Sequence, residues 1–380
     1  MQVAVTKKDL LRIVARCQGV ADKKSTMPVL GNVLIEVDGP DSLRLAATDL
    51  NLAVSGRIPA EVQKGGSIAV GARDLFERVK MMPEGQLTIT TGEGSSATIR
   101  ASSSARRYTL HGMPGDEFPA IPEPDASAQA LPIGIDALAL LIARTHFSIS
   151  TDDTRLHLNS ALLEWEGNRV RMVTTDGHRL SKMEIGLSGK SATATMLIPL
   201  KGIQELRRLA DEARSEPKGE NAEGGGELSL LASGANAFFR LPGLQLSVKL
   251  VDAQFPPYQQ VIPKTTERTV VAPRLSFADA LRAVSIAASD RTGGVKLSLT
   301  RNTMRFASES PDSGEGFDEV AVEYEGGEVT IGFNARYFLD VLGAIDDEKV
   351  EIGIGGELDP VVLRPQGSTD YLSVVMPMRI

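Results

Sequence analysis

Cysteine occurs once in these 380 residues, at Cys17, so there is no disulfide framework and no multi-cysteine metal site, which fits a reducing compartment. Aromatic side chains make up only 4%, and none interleaves with the basic residues, so the stacking platform that holds single-stranded nucleic acid is missing. There are four histidines, with no HExxH and no GxSxG, and the glycine runs GEGSSAT (92–98) and GIGGEL (353–358) lack GK[ST], which leaves them as hairpin turns rather than nucleotide loops. No apolar run approaches the roughly 20 residues that cross a bilayer; the longest helical candidate is the short ALALLIA at 137–143. The opening MQVAVTKKDLLRIVARC has no signal-peptide core, so the chain is expected to be neither exported nor anchored, and the cytoplasm is its expected location. A net charge of −8 argues, taken alone, against nucleic acid and membrane surfaces.

What is present is length, a globular composition and repetition. A chain of 380 residues exceeds one ordinary core and implies two or three domains, and 42% hydrophobic with 24% charged residues is the balance of a folded protein. Three stretches share one pattern of an apolar-faced helix, alternating strands and a small acidic turn: KKDLLRIVARC with LRLAATDL, GIDALALLIARTHF with VRMVTTDGHRL, and SFADALRAVSIAAS with MRFASESPD. Their acids are Asp49, Asp176 and Asp312. Each turn is followed by a second helix: GARDLFERVKMM, PLKGIQELRRLADEA and NARYFLDVLGAI. Two units close on the Phe-Pro segments GDEFPAIP and DAQFPPYQQVIP, and the third on the C-terminal VVMPMRI. Period-2 alternation in LRLAATDLNLAV and the helical spacing of Leu10, Ile13, Val14 and Cys17 predict an α+β fold of three repeated units, each with two helices on antiparallel sheets of about eight strands. Domains are expected at 1–125, 126–256 and 257–380, and SEPKGENAEGGGE within 215–227 as a surface insertion.

Charge is unevenly placed. The six predicted helices sum to +6, so the rest of the chain carries −14. One reading is that helix surfaces ordinarily carry Lys and Arg. The other is that basic helices line one surface facing a polyanion, with phosphate contacts and no base reading, for which duplex DNA is the suitable partner.

TTDGHRLS (174–181) is the most enzyme-like stretch, because Asp176 and His178 are an acid–base or metal-ligand pair by residue type. The alternative is a Thr-Asp-Gly turn between strands, favoured by the absence of any second cluster of Asp or Glu nearby. A hydrolase or nuclease and a DNA-free symmetric scaffold are the competing function classes.

MPVLGNVLIEV (27–37), TTDGHRLS (174–181), IPLKGIQEL (198–206), KLVDAQFPPYQQVIPK (249–264), IGFNARYFLDVL (331–342) and the closing VVMPMRI together resemble the bacterial DNA polymerase III β subunits, the replicative sliding clamps. The resemblance runs in order over essentially the whole chain. It implies three clamp domains and a head-to-tail homodimer, a closed ring around double-stranded DNA, without catalytic residues, metal or cofactor. It further implies a hydrophobic groove that receives short motifs from the DNA polymerase III α subunit, the clamp loader, other polymerases and repair proteins. The groove residues carried over by position are Leu158, Thr175, Gly177, His178, Leu180, Pro256, Val261, Val374 and Met376, with Arg155, Arg179, Pro377, Met378 and Arg379 around the rim. Lys24 corresponds to a DNA-contacting position, and Arg73 and Lys201 begin helices of the ring's inner face. Helix placement and charge add Arg12, Arg16, Arg78, Lys80, Arg207 and Arg282, whereas the acids of STDDTR (150–155) disfavour DNA contact there. The subunit contact is expected to join RRYTLHG (106–112), with Tyr108 and Leu110, to SIAASDR (285–291), with Ile286 and Ala287.

Overall fold

A computed structural model describes residues 1–379 apart from 23, 93, 188–190, 216–225, 290–292 and 312. Asp312, Asp290 and Arg291 therefore lie outside the described residues, as does most of the expected insertion, whose flanks are a helix ending at Ser215 and a strand beginning at Glu227.

All six predicted helices are present: α1 Lys7–Val20, α2 Ala72–Lys80, α3 Ile135–Thr145, α4 Leu200–Ser215, α5 Arg274–Ser285 and α6 Ala335–Ala344. The α1 helix starts where Thr6 Oγ1 accepts from the Asp9 amide (3.1 Å), supplying one of the acceptors that first-turn N–H groups otherwise lack. Its stripe of Leu10, Ile13, Val14 and Cys17 is buried as the spacing predicts. Close seating of this stripe depends on Gly56 in the strand beneath, where a Cβ would fall 2.7 Å from Ile13 Cδ1. At α6 the cap is Asn334, whose Oδ1 accepts from the Arg336 amide (2.9 Å). The helices pack in pairs, α1 on α2, α3 on α4 and α5 on α6.

Every strand pairing among the described residues is antiparallel, in sheets of thirteen, eight and four strands. By contacts the chain falls into two compact units, 1–134 with 226–250, and 135–225 with 251–380. The middle repeat is thus divided. Its strand Leu244–Lys249 pairs with Leu52–Pro59 of the first repeat, whereas its strand Arg179–Gly186 pairs with Tyr371–Val375 of the third.

In the second unit the α5/α6 side is held by four phenylalanines, with Phe277 stacked on Phe306 (5.3 Å) and Phe333 against Phe338 (3.9 Å). Among the described residues no helix is long and apolar enough to cross a membrane.

Candidate functional site

The acidic turn of the middle repeat is built by its own side chains. Thr175 Oγ1 donates to Arg179 O (2.6 Å) and accepts from the Gly177 amide (3.1 Å), while Asp176 Oδ1 accepts from the amides of His178 (2.9 Å) and Arg179 (3.0 Å). The reversal needs a left-handed backbone at Gly177 (φ +92°), which glycine adopts without a steric cost. Asp176 Oδ2 also accepts from Arg179 Nε (3.0 Å), and the His178 ring stacks on Tyr337 at 6.5 Å and 15°. The turn reading, favoured over the acid–base one, is what the hydrogen bonds describe: the carboxylate shapes the turn and anchors an arginine. Among the described residues no three His, Cys, Asp or Glu side chains gather as a metal would need.

Arg179 is 8% exposed, yet fully engaged. Besides Asp176 it donates to Asp340 Oδ2 (2.5 Å) and Phe147 O (2.5 Å), and its guanidinium lies over the Tyr337 ring at 4.6 Å.

Across the strands behind this turn, Leu162, Val173, Leu180, Leu197 and Val374 form an apolar floor completed by Tyr258. The tail is tied to it as an extra strand: Val374 lies opposite Leu180, Ser373 Oγ donates to Leu180 O (2.8 Å), and past the strand the Met376 amide donates to His178 O (2.9 Å). Farther on, the Met378 amide donates to Gly332 O (2.8 Å), so this apolar segment is tied down by its backbone.

Above the floor is a cavity of about 200 Å³. Eight of the nine predicted groove residues line it: Leu158, Thr175, Gly177, Leu180, Pro256, Val261, Val374 and Met376. His178 does not, because its ring turns to Tyr337. Arg179, expected at the rim, belongs to the lining, whereas Pro377, Met378 and the exposed Arg379 stay outside it. Arg155 is exposed and bound to Asp152 Oδ2 (2.9 Å).

Two lining residues were missed, His157 and Tyr258. For Tyr258, which meets the Phe255 ring edge-on at 6.4 Å across two prolines and outside any α-helix, the sequence offered no local signal. His157 had none either. Burial, together with hydrogen bonding to Glu164, pushes the Tyr258 phenol above its ordinary pKa, so it remains a donor.

The cations expected to face DNA are differently placed. Lys24, Arg12, Arg73, Lys80, Lys201, Arg207 and Arg282 are exposed, and Arg78 is half-buried beside Asp74 (3.3 Å). Arg16 is corrected: at 8% exposure its side chain packs inside rather than reaching toward a phosphate. Arg207 Nη1 donates to His146 Nε2 (2.7 Å). Asp152, in the acidic 150–155 loop, is held below its ordinary pKa by the Thr154 hydroxyl and amide and by Arg155, so it stays charged. The observed helices carry 15 basic and 9 acidic residues, which leaves the +6 unchanged.

Of the four expected interface residues, Ile286 projects at 81% exposure and Tyr108 is half-buried. Leu110 (4%) and Ala287 (7%) are corrected, since both are already covered within their own chain. Ala287 lies against Gly316, where a Cβ would stand 3.2 Å from the alanine's, so a small residue is required for the helix end to approach that strand. Phe317 beside it is 66% exposed.

Comparison with known proteins agrees across the whole length. Residues 1–122, 133–257 and 259–379 match the family models described as the N-terminal, central and C-terminal domains of the DNA polymerase III beta subunit. The beta sliding clamp of Pseudomonas aeruginosa is 33% identical over 382 residues, covering 100% of both chains. The crystal structure of the DNA polymerase III subunit beta from that organism superimposes with a TM-score of 0.91 at 32% identity and full coverage of both. Another solved structure, also at 0.91, 32% and full coverage, is a P. aeruginosa sliding clamp bound to griselimycin. The chain accordingly belongs to the DNA polymerase III β subunit family, the bacterial β sliding clamps, an accessory subunit of the replicative polymerase with no active site of its own.

Proposed function

We propose that two copies of this chain close head to tail into a ring around double-stranded DNA in the cytoplasm. The ring slides without sequence preference and tethers the DNA polymerase III α subunit, and in turn the clamp loader, other polymerases and repair proteins. The domains are 1–125, 126–256 and 257–380. Processivity then comes from topology: leaving requires opening the ring or reaching a DNA end. A helix charge of +6 per chain supplies attraction to phosphate that is weak and screened by salt, as sliding requires.

The observation that carries the tethering half is the preformed apolar cavity of about 200 Å³ walled by the Thr175–Arg179 turn and by Met376 of the tail. Its methionine is unbranched and repacks around different apolar side chains, which suits a site serving many partners in turn. That a relative binds griselimycin supports a site for compact peptide-like ligands. The test is binding of a labelled peptide from the clamp-binding segment of the polymerase α subunit: saturable binding, lost when the groove is altered, supports the reading, and no binding overturns it.

Ring closure is favoured by two unpaired strand edges of opposite charge. Strand Arg107–Pro114 meets Ser67–Gly71 only through 112–114, so 107–111 is open on that side; it bears Arg106, Arg107 and His111 at or beside it. Strand Gly314–Ala321 ends the four-stranded sheet and carries Glu315, Asp318 and Glu319. Head-to-tail pairing of these edges between two copies closes after two chains, leaving neither of these two edges open.

A further inference from the structure

Three adjacent strands present the groove floor, and on that face the residues change character along the strands. Leu162, Val173 and Leu180 form the apolar half. On the same face, two residues from Leu162 and from Val173 and four from Leu180 (past Lys182), come Glu164, Arg171 and Glu184, which stand directly opposite one another in register. Arg171 donates to Glu184 Oε2 (2.8 Å) and lies 3.6 Å from Glu164 Oε2 and 3.4 Å from Glu166 Oε2. Tyr258 spans the boundary. Its ring, 4% exposed, packs in the apolar half and lines the cavity, while its hydroxyl donates to Glu164 Oε2 (2.8 Å).

The first repeat supplies an internal comparison. There Glu36 and Arg44 again stand opposite one another on neighbouring strands, 3.7 Å apart, and Arg44 also reaches Glu123 (3.1 Å). In that copy the Phe-Pro segment places Phe118 where the middle repeat has Phe255, and Ile121 where it has Tyr258. The carboxylate–arginine pair is therefore common to both copies. The phenol that reaches from it into a cavity wall is peculiar to the copy that carries the groove.

We infer that Glu164, held by Arg171, is a positioning residue for ligand binding: it fixes the Tyr258 ring as a rigid wall of the groove without touching the bound peptide. This rests on the groove reading above. A buried hydroxyl deprived of its acceptor moves to find another, and the ring that carries it leaves its place in the wall. A rigid wall spares the ligand the cost of ordering it.

The test measures affinity for the labelled α-subunit peptide in the full-length protein, with thermal unfolding and oligomeric state recorded for each variant. Tyr258→Phe and Glu164→Ala each weaken binding by about tenfold, whereas Glu164→Gln, whose amide oxygen still accepts the phenol's proton, stays within about threefold. Glu36→Ala, which breaks the corresponding pair in the first repeat, leaves affinity unchanged. Where Glu164→Ala does not fold, Tyr258→Phe, which removes a single oxygen, decides alone. Binding of Tyr258→Phe within about twofold of the unaltered chain overturns the inference, as does an equal loss in Glu36→Ala, since either result makes the network merely structural. Absence of binding by the unaltered chain is a different failure: it removes the groove reading and the inference with it.

Discussion

Arg179 shows how a single residue ties a turn to a helix. Its cation is almost out of water, and the cost of that is offset by two carboxylates, a carbonyl and an aromatic face. Arg179→Ala strands Asp176 and Asp340 without their partner and is expected to cost about 3 kcal/mol, with weaker peptide binding because the turn is a wall of the groove; urea unfolding and peptide titration check both. Arg179→Lys is expected to recover little, because an ammonium cannot serve three acceptors set around a planar fork. At His146 the assignment of protons follows from partners. Nδ1 donates to Ile142 O (3.0 Å), and Nε2 accepts from Arg207 (2.7 Å), so the ring is neutral. Burial first, and the Arg207 charge second, hold its pKa below the ordinary value. The unfolded chain therefore takes up the proton at a higher pH than the folded one. Stability is full above about pH 6.5 and falls as pH drops from there toward the lowered folded value. His146→Gln is expected to flatten that slope in urea titrations run across this window, and an unchanged slope would assign it to other groups.

Among the elements, the C-terminal strand carries most of the site. Removing residues 376–380 takes away two amide hydrogen bonds and one groove wall but leaves Tyr371–Val375 between its neighbours, Arg179–Gly186 and Val361–Pro365. The truncated chain is expected to stay folded and dimeric while losing peptide affinity by about a hundredfold or more; a monomeric or unfolded truncation would contradict this. At the open edges, Glu319 is already paired with Arg305 (3.3 Å) and Asp318 Oδ1 accepts from the Glu319 amide (2.8 Å), which leaves the exposed Glu315 as the acid for the subunit contact. Arg107→Glu is expected to raise the dimer dissociation constant by about tenfold in analytical ultracentrifugation, and adding Glu315→Arg in the same chain to restore part of the loss. Six helices were legible because their apolar stripes repeat at the helical period. The pairing of Leu244–Lys249 with Leu52–Pro59 was not, because alternation tells which face a residue occupies and nothing about which strand lies beside it. The Thr175–Arg179 turn was legible from Thr-Asp-Gly, whose hydrogen bonds are local. Tyr258 escaped because its partner Glu164 is 94 residues away, and Arg16 misled because a basic residue on a helix looks the same in sequence whether its side chain points out or in.

For the whole molecule, the division of charge matters more than its total. A chain of net −8 would be repelled by DNA if its charges were evenly spread, but its helices hold +6 and the remainder −14. Two such chains closed around a duplex would be attracted by their helices and held mainly by being closed. The most direct test loads the purified protein with its clamp loader onto nicked circular plasmid and then cuts the plasmid once. The ring reading predicts retention on the circle through a wash at raised salt and release upon linearisation. Equal retention on circular and linear DNA, or equal loss from both, would contradict it.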